Sequence, residues 1–167
     1  MILLIDGRSG SGKTTFAAKL RGVLGWPVLH VEDAYPGWDG LAAGSATVGD
    51  SMLDPGILGF RRWDWYADDW AEWVPTPVAP AGSAAPGSLI IEGCGALTEA
   101  NLAAACRIGD GEVWGVWLGL DAETRHARAM ARDPEFDSPG GRWARQEDEH
   151  YSVHRPWDLA EWIVRVR

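Results

Sequence analysis

Residues 1–15 read Met1-Ile2-Leu3-Leu4-Ile5-Asp6-Gly7-Arg8-Ser9-Gly10-Ser11-Gly12-Lys13-Thr14-Thr15, an apolar run that breaks into a glycine loop closing on Lys-Thr. The run Ile2 to Ile5 has the composition of a buried strand, and Phe16, Leu20, Val23 and Leu24 then recur on one face at helical spacing until Gly25 stops the helix. A triphosphate offers a protein little besides dense negative charge, so its site needs converging backbone N–H groups, a backbone free to aim them, and a cation. Gly7, Gly10 and Gly12 supply that freedom, the helix start supplies free N–H groups, Lys13 can reach the β- and γ-phosphates, and the Thr14 hydroxyl can hold Mg²⁺. A chance Gly/Ser turn would not stand between a strand and a helix in this order.

Outward from the loop, Val28 to Val31 is a second apolar run ended by Glu32-Asp33, Ser88 to Glu92 a third, Glu112 to Leu120 a fourth, and Trp162 to Val166 a closing strand. Helices are expected over Glu99–Cys106, Ala122–Arg132 and Arg142–Arg155, with a short one over Trp63–Trp73. Pro75 to Gly87 reads as an exposed connector. Alternating strands and helices predict an α/β three-layer sandwich of the P-loop NTPase type, with a parallel, five-stranded sheet and ligands beyond the strands' C-terminal ends. At 167 residues, 46% of them hydrophobic, the chain suits one domain over 1–167.

A net charge of −9 and no dense Lys/Arg cluster argue against nucleic acid as a partner. No apolar run approaches the roughly 20 residues of a membrane span, and the opening run is too short for a signal peptide, so a soluble, cytoplasmic monomer or homodimer is expected. Cys94 and Cys106 are too few for a disulfide framework and read as buried thiols. The 11 tryptophans follow no fixed period and mark no repeat. His150 and His154, four apart beside Glu147, Asp148 and Glu149, could chelate a metal, but a solvated acidic helix face is the simpler reading.

Taken together, the loop, Glu32-Asp33-Ala34-Tyr35, Ile91-Glu92-Gly93 and Asp121-Ala122-Glu123-Thr124-Arg125 resemble the uridine kinase-like branch of P-loop kinases over most of the chain. The resemblance implies an acid and a Tyr after strand two (Glu32, Tyr35), Glu-Gly after strand three (Glu92-Gly93), and a lid helix with Arg125, Arg128 and Arg132-Asp133. Glu stands where that family more often has Asp, and the chain is compact for the family, which predicts a reduced or absent β-hairpin at the acceptor pocket.

The expected activity is transfer of the γ-phosphoryl of ATP, with Mg²⁺, to a hydroxyl of a small molecule, a nucleoside-like one among the candidates. A nucleoside monophosphate kinase and a non-catalytic ATP-binding regulatory or assembly protein are the alternatives. Gly7, Ser9, Gly10, Ser11, Gly12, Lys13, Thr14 and Thr15 form the candidate nucleotide cradle, with Arg125 and Arg128 from the lid, a region of about 125–142. A hydroxyl must lose its proton as it attacks, so Glu32 and Asp33 are candidate bases beside Lys13 and Arg132 as catalytic cations. Thr14, Glu32 and Glu92 are candidate Mg²⁺ ligands. The acceptor region, about 33–74, offers Tyr35, Trp38, Asp39, Arg61, Arg62, Trp63 and Asp64 as ring platforms and polar contacts.

Overall fold

The structure, a computed structural model, describes residues 1–77, 87–108, 112–132 and 141–165. Its centre is β1 (Ile2–Asp6), all five residues of which are buried, flanked by β5 (Leu89–Glu92) on one side and β6 (Val113–Gly119) on the other. β2 (Val28–His30) adds to β5 and β7 (Trp162–Arg165) to β6, so the sheet order is β2-β5-β1-β6-β7 and every pairing is parallel. Strands wrapped on both faces need apolar residues at consecutive positions, and β1 and β5 have them. Leu3, Ile5, Ile90, Val116 and Leu118 face α1 (Lys13–Leu24) through Phe16, Ala17 and Leu20. Ile2, Leu4, Leu89 and Ile91 face the other way, toward Leu41 of α2 (Leu41–Thr47) and toward Ala104, Ala105 and Ile108 of α3 (Glu99–Ile108). Each such side chain is worth about 1.5–3 kcal/mol in removed apolar surface, which is why the strands anchor the fold.

The parallel five-stranded sheet, α1 with its Gly25 cap, α4 (Ala122–Arg132) and α5 (Arg142–His154) lie where the sequence places them. Four readings are corrected. Val23 is 84% exposed, so the buried stripe of α1 ends at Leu20. Cys106 is exposed, unlike Cys94. The 63–73 segment is no helix: β3 (Gly59–Asp64) and β4 (Asp69–Pro75) form an antiparallel hairpin, so the hairpin expected to be reduced or absent is present. Its turn is fixed by Asp64 Oδ1, which accepts from the N–H groups of Tyr66 and Ala67, and by Asp68 at φ 53. Finally, the strand-two acids do not extend the strand. Val31–Ala34 closes into a 3₁₀ turn, so the second strand stops at His30 rather than Val31, and Glu32 and Asp33 lie on the turn. Among the described residues no helix is long and apolar enough to cross a membrane.

Candidate functional site

The C-terminal ends of β1, β2 and β5 open into one cleft of about 410 Å³, lined by Ser9, Lys13, Thr14, Glu32, Tyr35, Trp38, Trp65, Glu92, Gly93, Cys94, Arg132 and Trp143. At its floor the glycine loop runs into α1. Gly12 caps the helix at φ 95 without any side-chain cap, leaving the first-turn N–H groups to the cleft. Gly10, at φ 79, lets the loop pass under α4: a Cβ there would sit 2.1 Å from the Arg125 carbonyl oxygen. Lys13 is buried, and its Nζ donates only long hydrogen bonds, 3.3 Å to the Arg8 carbonyl and 3.5 Å to Cys94 Sγ. Burial opposes its charge, but Cys94, Glu92, Glu147 and Asp6 around it raise its pKa above the ordinary lysine value. Burial pushes the Cys94 thiol up to about 12, so it is protonated at neutral pH and inert as a nucleophile.

Beneath the loop lies Asp6, fully buried, accepting from the Gly7, Gly95 and Leu97 N–H groups at 2.6, 3.2 and 2.9 Å and from the Tyr151 hydroxyl at 2.8 Å. Burial raises its pKa to about 6 against these donors and Lys13, which pull it down. One helix braces the whole loop. Trp143, Glu147 and Tyr151 recur every four residues along α5; Trp143 Nε1 donates to Ser9 Oγ at 2.9 Å, Glu147 accepts the Ser9 N–H at 2.6 Å, and Tyr151 donates also to the Gly7 carbonyl at 3.2 Å. The acidic face read as solvated is therefore half wrong, since Glu147 and His150 are buried and only Asp148 and Glu149 face water. Among the described residues no His/Cys/Asp/Glu group suits a metal, His150 and His154 included.

The sequence candidates divide sharply. Lys13, Thr14, Glu32, Tyr35, Trp38, Glu92 and Arg132 line the cleft together with Ser9. Gly7, Gly10, Ser11 and Gly12 build the loop behind them, Ser11 Oγ being buried with no partner, and Thr15 lies exposed on the first turn of α1. Ser9 gives its N–H to Glu147, its hydroxyl accepts from Trp143, and its carbonyl accepts from Arg125 at 3.3 Å. Arg128 is exposed and outside the lining. Asp33 is half-buried beside the cleft, its pKa raised by burial. Asp39 pairs with Arg142 at 3.3 Å, Arg62 with Glu72 at 2.8 Å, Arg61 is exposed, Trp63 packs edge-on against Trp70 at 5.0 Å, and Asp64 holds the hairpin turn, so these five do not line the cleft. Asp133 of the Arg-Asp pair, and the loop through residue 140, lie outside the described residues.

Cys94 and Trp143 line the cleft without having been singled out for it, and Trp65 joins them from Arg61-Arg62-Trp63-Asp64-Trp65, a cluster whose indole faces the sequence offers to an acceptor ring. Trp65 comes in from the hairpin end, its Nε1 donating to the Glu32 carbonyl at 3.3 Å. Trp143 enters from α5 and tilts against Tyr35 at 4.9 Å. Only Trp65 left a sequence signal, its place in the Arg61–Trp65 cluster.

A parallel sheet of this order, with a glycine loop between β1 and α1 and a cleft over the strand ends, defines a P-loop NTPase fold. Solved structures agree. The chain is similar to a shikimate kinase from Acinetobacter baumannii in complex with shikimate (14% identity, 99% of this chain and 83% of that one, TM-score 0.57). It is similar also to a gluconokinase from Sinorhizobium meliloti 1021 (15% identity, 99% and 81%, TM-score 0.55). A shikimate kinase from Bacteroides thetaiotaomicron matches at 14% identity, 99% and 86%, TM-score 0.55. At such identities the likeness is one of fold. No known family model matches the sequence, and no curated protein does.

Proposed function

We propose that the protein is an ATP-dependent kinase that transfers the γ-phosphoryl group to a hydroxyl of a small molecule. The observation that carries this reading is that Lys13, at the mouth of the glycine loop, and Glu32, the acid after β2, line one cleft with Arg132. The loop suits a polyphosphate: left-handed Gly10 and Gly12, an uncapped helix start, an unpartnered Ser11 hydroxyl and a lysine held charged. The fold neighbours named shikimate kinase and gluconokinase support an alcohol acceptor, and the β3–β4 hairpin beside the cleft supports the uridine kinase-like reading of that end.

Lys13 neutralises charge on the β- and γ-phosphates, and Arg132 does so where charge develops on the transferred group. Glu32 orients the acceptor hydroxyl and takes its proton as the new O–P bond forms and the bond from the γ-phosphorus to the bridging oxygen breaks, ADP leaving. Thr14, with Glu92 and Glu32, would hold Mg²⁺, which would supply a Lewis acid for the phosphate oxygens when bound. Arg61 and Arg62 lie outside the lining, which favours an alcohol over a monophosphate acceptor. The test is calorimetric titration with ATP and Mg²⁺, followed by ATP consumption with and without candidate alcohols. ATP binding and acceptor-dependent turnover are expected, both sensitive to Lys13→Ala. Absence of ATP binding, or consumption no acceptor accelerates, overturns the reading.

A further inference from the structure

We propose that the acceptor carries an ammonium group: a cyclic amino alcohol whose cation rests on the Trp38 and Trp65 rings next to Glu32. This rests on the kinase reading above and narrows its acceptor. Four rings wall the cleft in sequence. Tyr35 meets Trp143 at 4.9 Å and 56°, Trp143 meets Trp38 at 6.4 Å and 80°, and Trp38 meets Trp65 at 5.5 Å and 67°. Rings at such angles form a concave corner rather than two parallel faces. A corner encloses a compact cation, while a flat base calls for a parallel slot.

Three of the wall's polar tips are already engaged. The Tyr35 hydroxyl donates to the Cys94 carbonyl at 2.7 Å, Trp143 Nε1 to Ser9 Oγ at 2.9 Å, and Trp65 Nε1 to the Glu32 carbonyl at 3.3 Å. Tyr35 and Trp143 are nearly buried, so the ring surface left to a ligand is chiefly that of Trp38 and Trp65. Among the described lining residues there is no Asn or Gln to read the edge of a nucleobase.

Charge points the same way. The lining cations are Lys13 and Arg132, both required by the phosphates, so an acceptor carboxylate would compete for them. Arg62 and Arg142 are tied to Glu72 and Asp39. Glu32 lines the same cleft, its backbone carbonyl accepting from Trp65 Nε1, and Asp33 is its neighbour. A cation finds both ring faces and a carboxylate there; a sugar acid finds neither.

The experiment compares 2-deoxystreptamine, an aminocyclitol, with myo-inositol, uridine, gluconate and shikimate, using the full chain with ATP and Mg²⁺. Binding is read by calorimetry and tryptophan fluorescence, turnover by ADP release. The aminocyclitol is expected to bind at least ~10-fold more tightly than inositol, within the range of a desolvated cation–π contact. Trp65→Leu should erase that preference with the KM for ATP changed less than about 2-fold, and Trp65→Phe, which keeps a ring, should restore most of it. An aminocyclitol that binds but is not phosphorylated, while another of the alcohols is, overturns this inference and leaves the kinase reading standing. Inositol, uridine or a sugar acid binding as well as the amine, or no amine binding at all, overturns the inference while leaving acceptor-dependent turnover intact as its own question.

Discussion

The two ends of the cleft are built by opposite means. The phosphate end is one continuous segment, β1, glycine loop and α1, seated on buried Asp6 and braced by α5. The proposed acceptor end is assembled from the 3₁₀ turn after β2, the hairpin and α5, and β4 and the hairpin turn are mostly exposed, with Trp73 at 50% and Tyr66 at 101%. A continuous, buried segment is dictated by local spacing and tolerates little change. An assembly of distant, half-exposed pieces can change its ligand without risk to the core, and the proposed acceptor specificity is assigned there.

The comparison breaks most visibly at Lys13. Lys13→Ala removes a buried cation of the phosphate end, and kcat/KM for ATP-dependent transfer should fall on the order of a thousandfold, by analogy with the loss of a single transition-state donor. The far-ultraviolet circular dichroism should stay unchanged. Near-normal turnover would mean that the glycine loop does not bind the transferred phosphate.

Asp6 tests whether the phosphate end owes its rigidity to a buried carboxyl. Its folded pKa of about 6 lies above the unfolded value of 3.8, so between those pH values the folded chain holds a proton that the unfolded chain has lost. Stability from this group is therefore present at low pH and declines as pH rises from about 4 to 6, by an amount on the order of 3 kcal/mol. Urea unfolding of the wild type and Asp6→Asn across that window should show the wild type losing stability relative to the variant. A relative gain with rising pH would reverse the assignment.

At the acceptor end a comparable change should be felt in binding rather than in folding. Trp63→Ala deletes the edge-on contact with Trp70 that stiffens the hairpin. A loss of about 1 kcal/mol in hairpin order should raise the acceptor KM a few-fold and leave the ATP KM and the melting temperature nearly unchanged. Equal changes in both KM values would show that the two ends do not behave independently.

The same contrast explains what the sequence discloses. β1, the loop and α1 are legible because their signals are contiguous, and β5, β6 and α4 because burial on both faces or a helical repeat marks them. The hairpin escapes because only Phe60, with Val74 packed beside it, reaches the core, too little to mark either strand. Its burial does not alternate, a register shift falls between Arg61 and Trp63, and Trp63, Trp70 and Trp73 happen to fall at spacings a helix also permits. Glu147 and Trp143 are hidden for another reason: α5 reads as polar, and only the packed loop shows which of its carboxylates is taken out of water.

His30 and Glu92 join the two ends and give the smallest effect. They end β2 and β5, stand opposite one another in the parallel register, and meet with Nδ1 and Oε1 2.5 Å apart. The hydrogen bond to Glu92, more than the charges of Glu92, Asp33 and Glu32, raises the His30 pKa above its ordinary 6.5, against burial, which lowers it. A raised folded pKa means that the pair's stabilisation is fully present below pH 6.5 and is lost as pH rises through the folded value. His30 keeps 36% of its side chain exposed, so water screens the pair and the contribution stays below about 1 kcal/mol. His30→Gln should therefore lower the urea midpoint slightly at pH 6 and not at pH 9. Breaking this pair also leaves the Glu92 carboxylate without its neighbour at the cleft wall, which should shift the Mg²⁺ dependence of ATP binding toward lower metal concentration. A stability difference that grows with pH would show that His30 is held neutral, and the link between the strand ends would then be packing rather than charge.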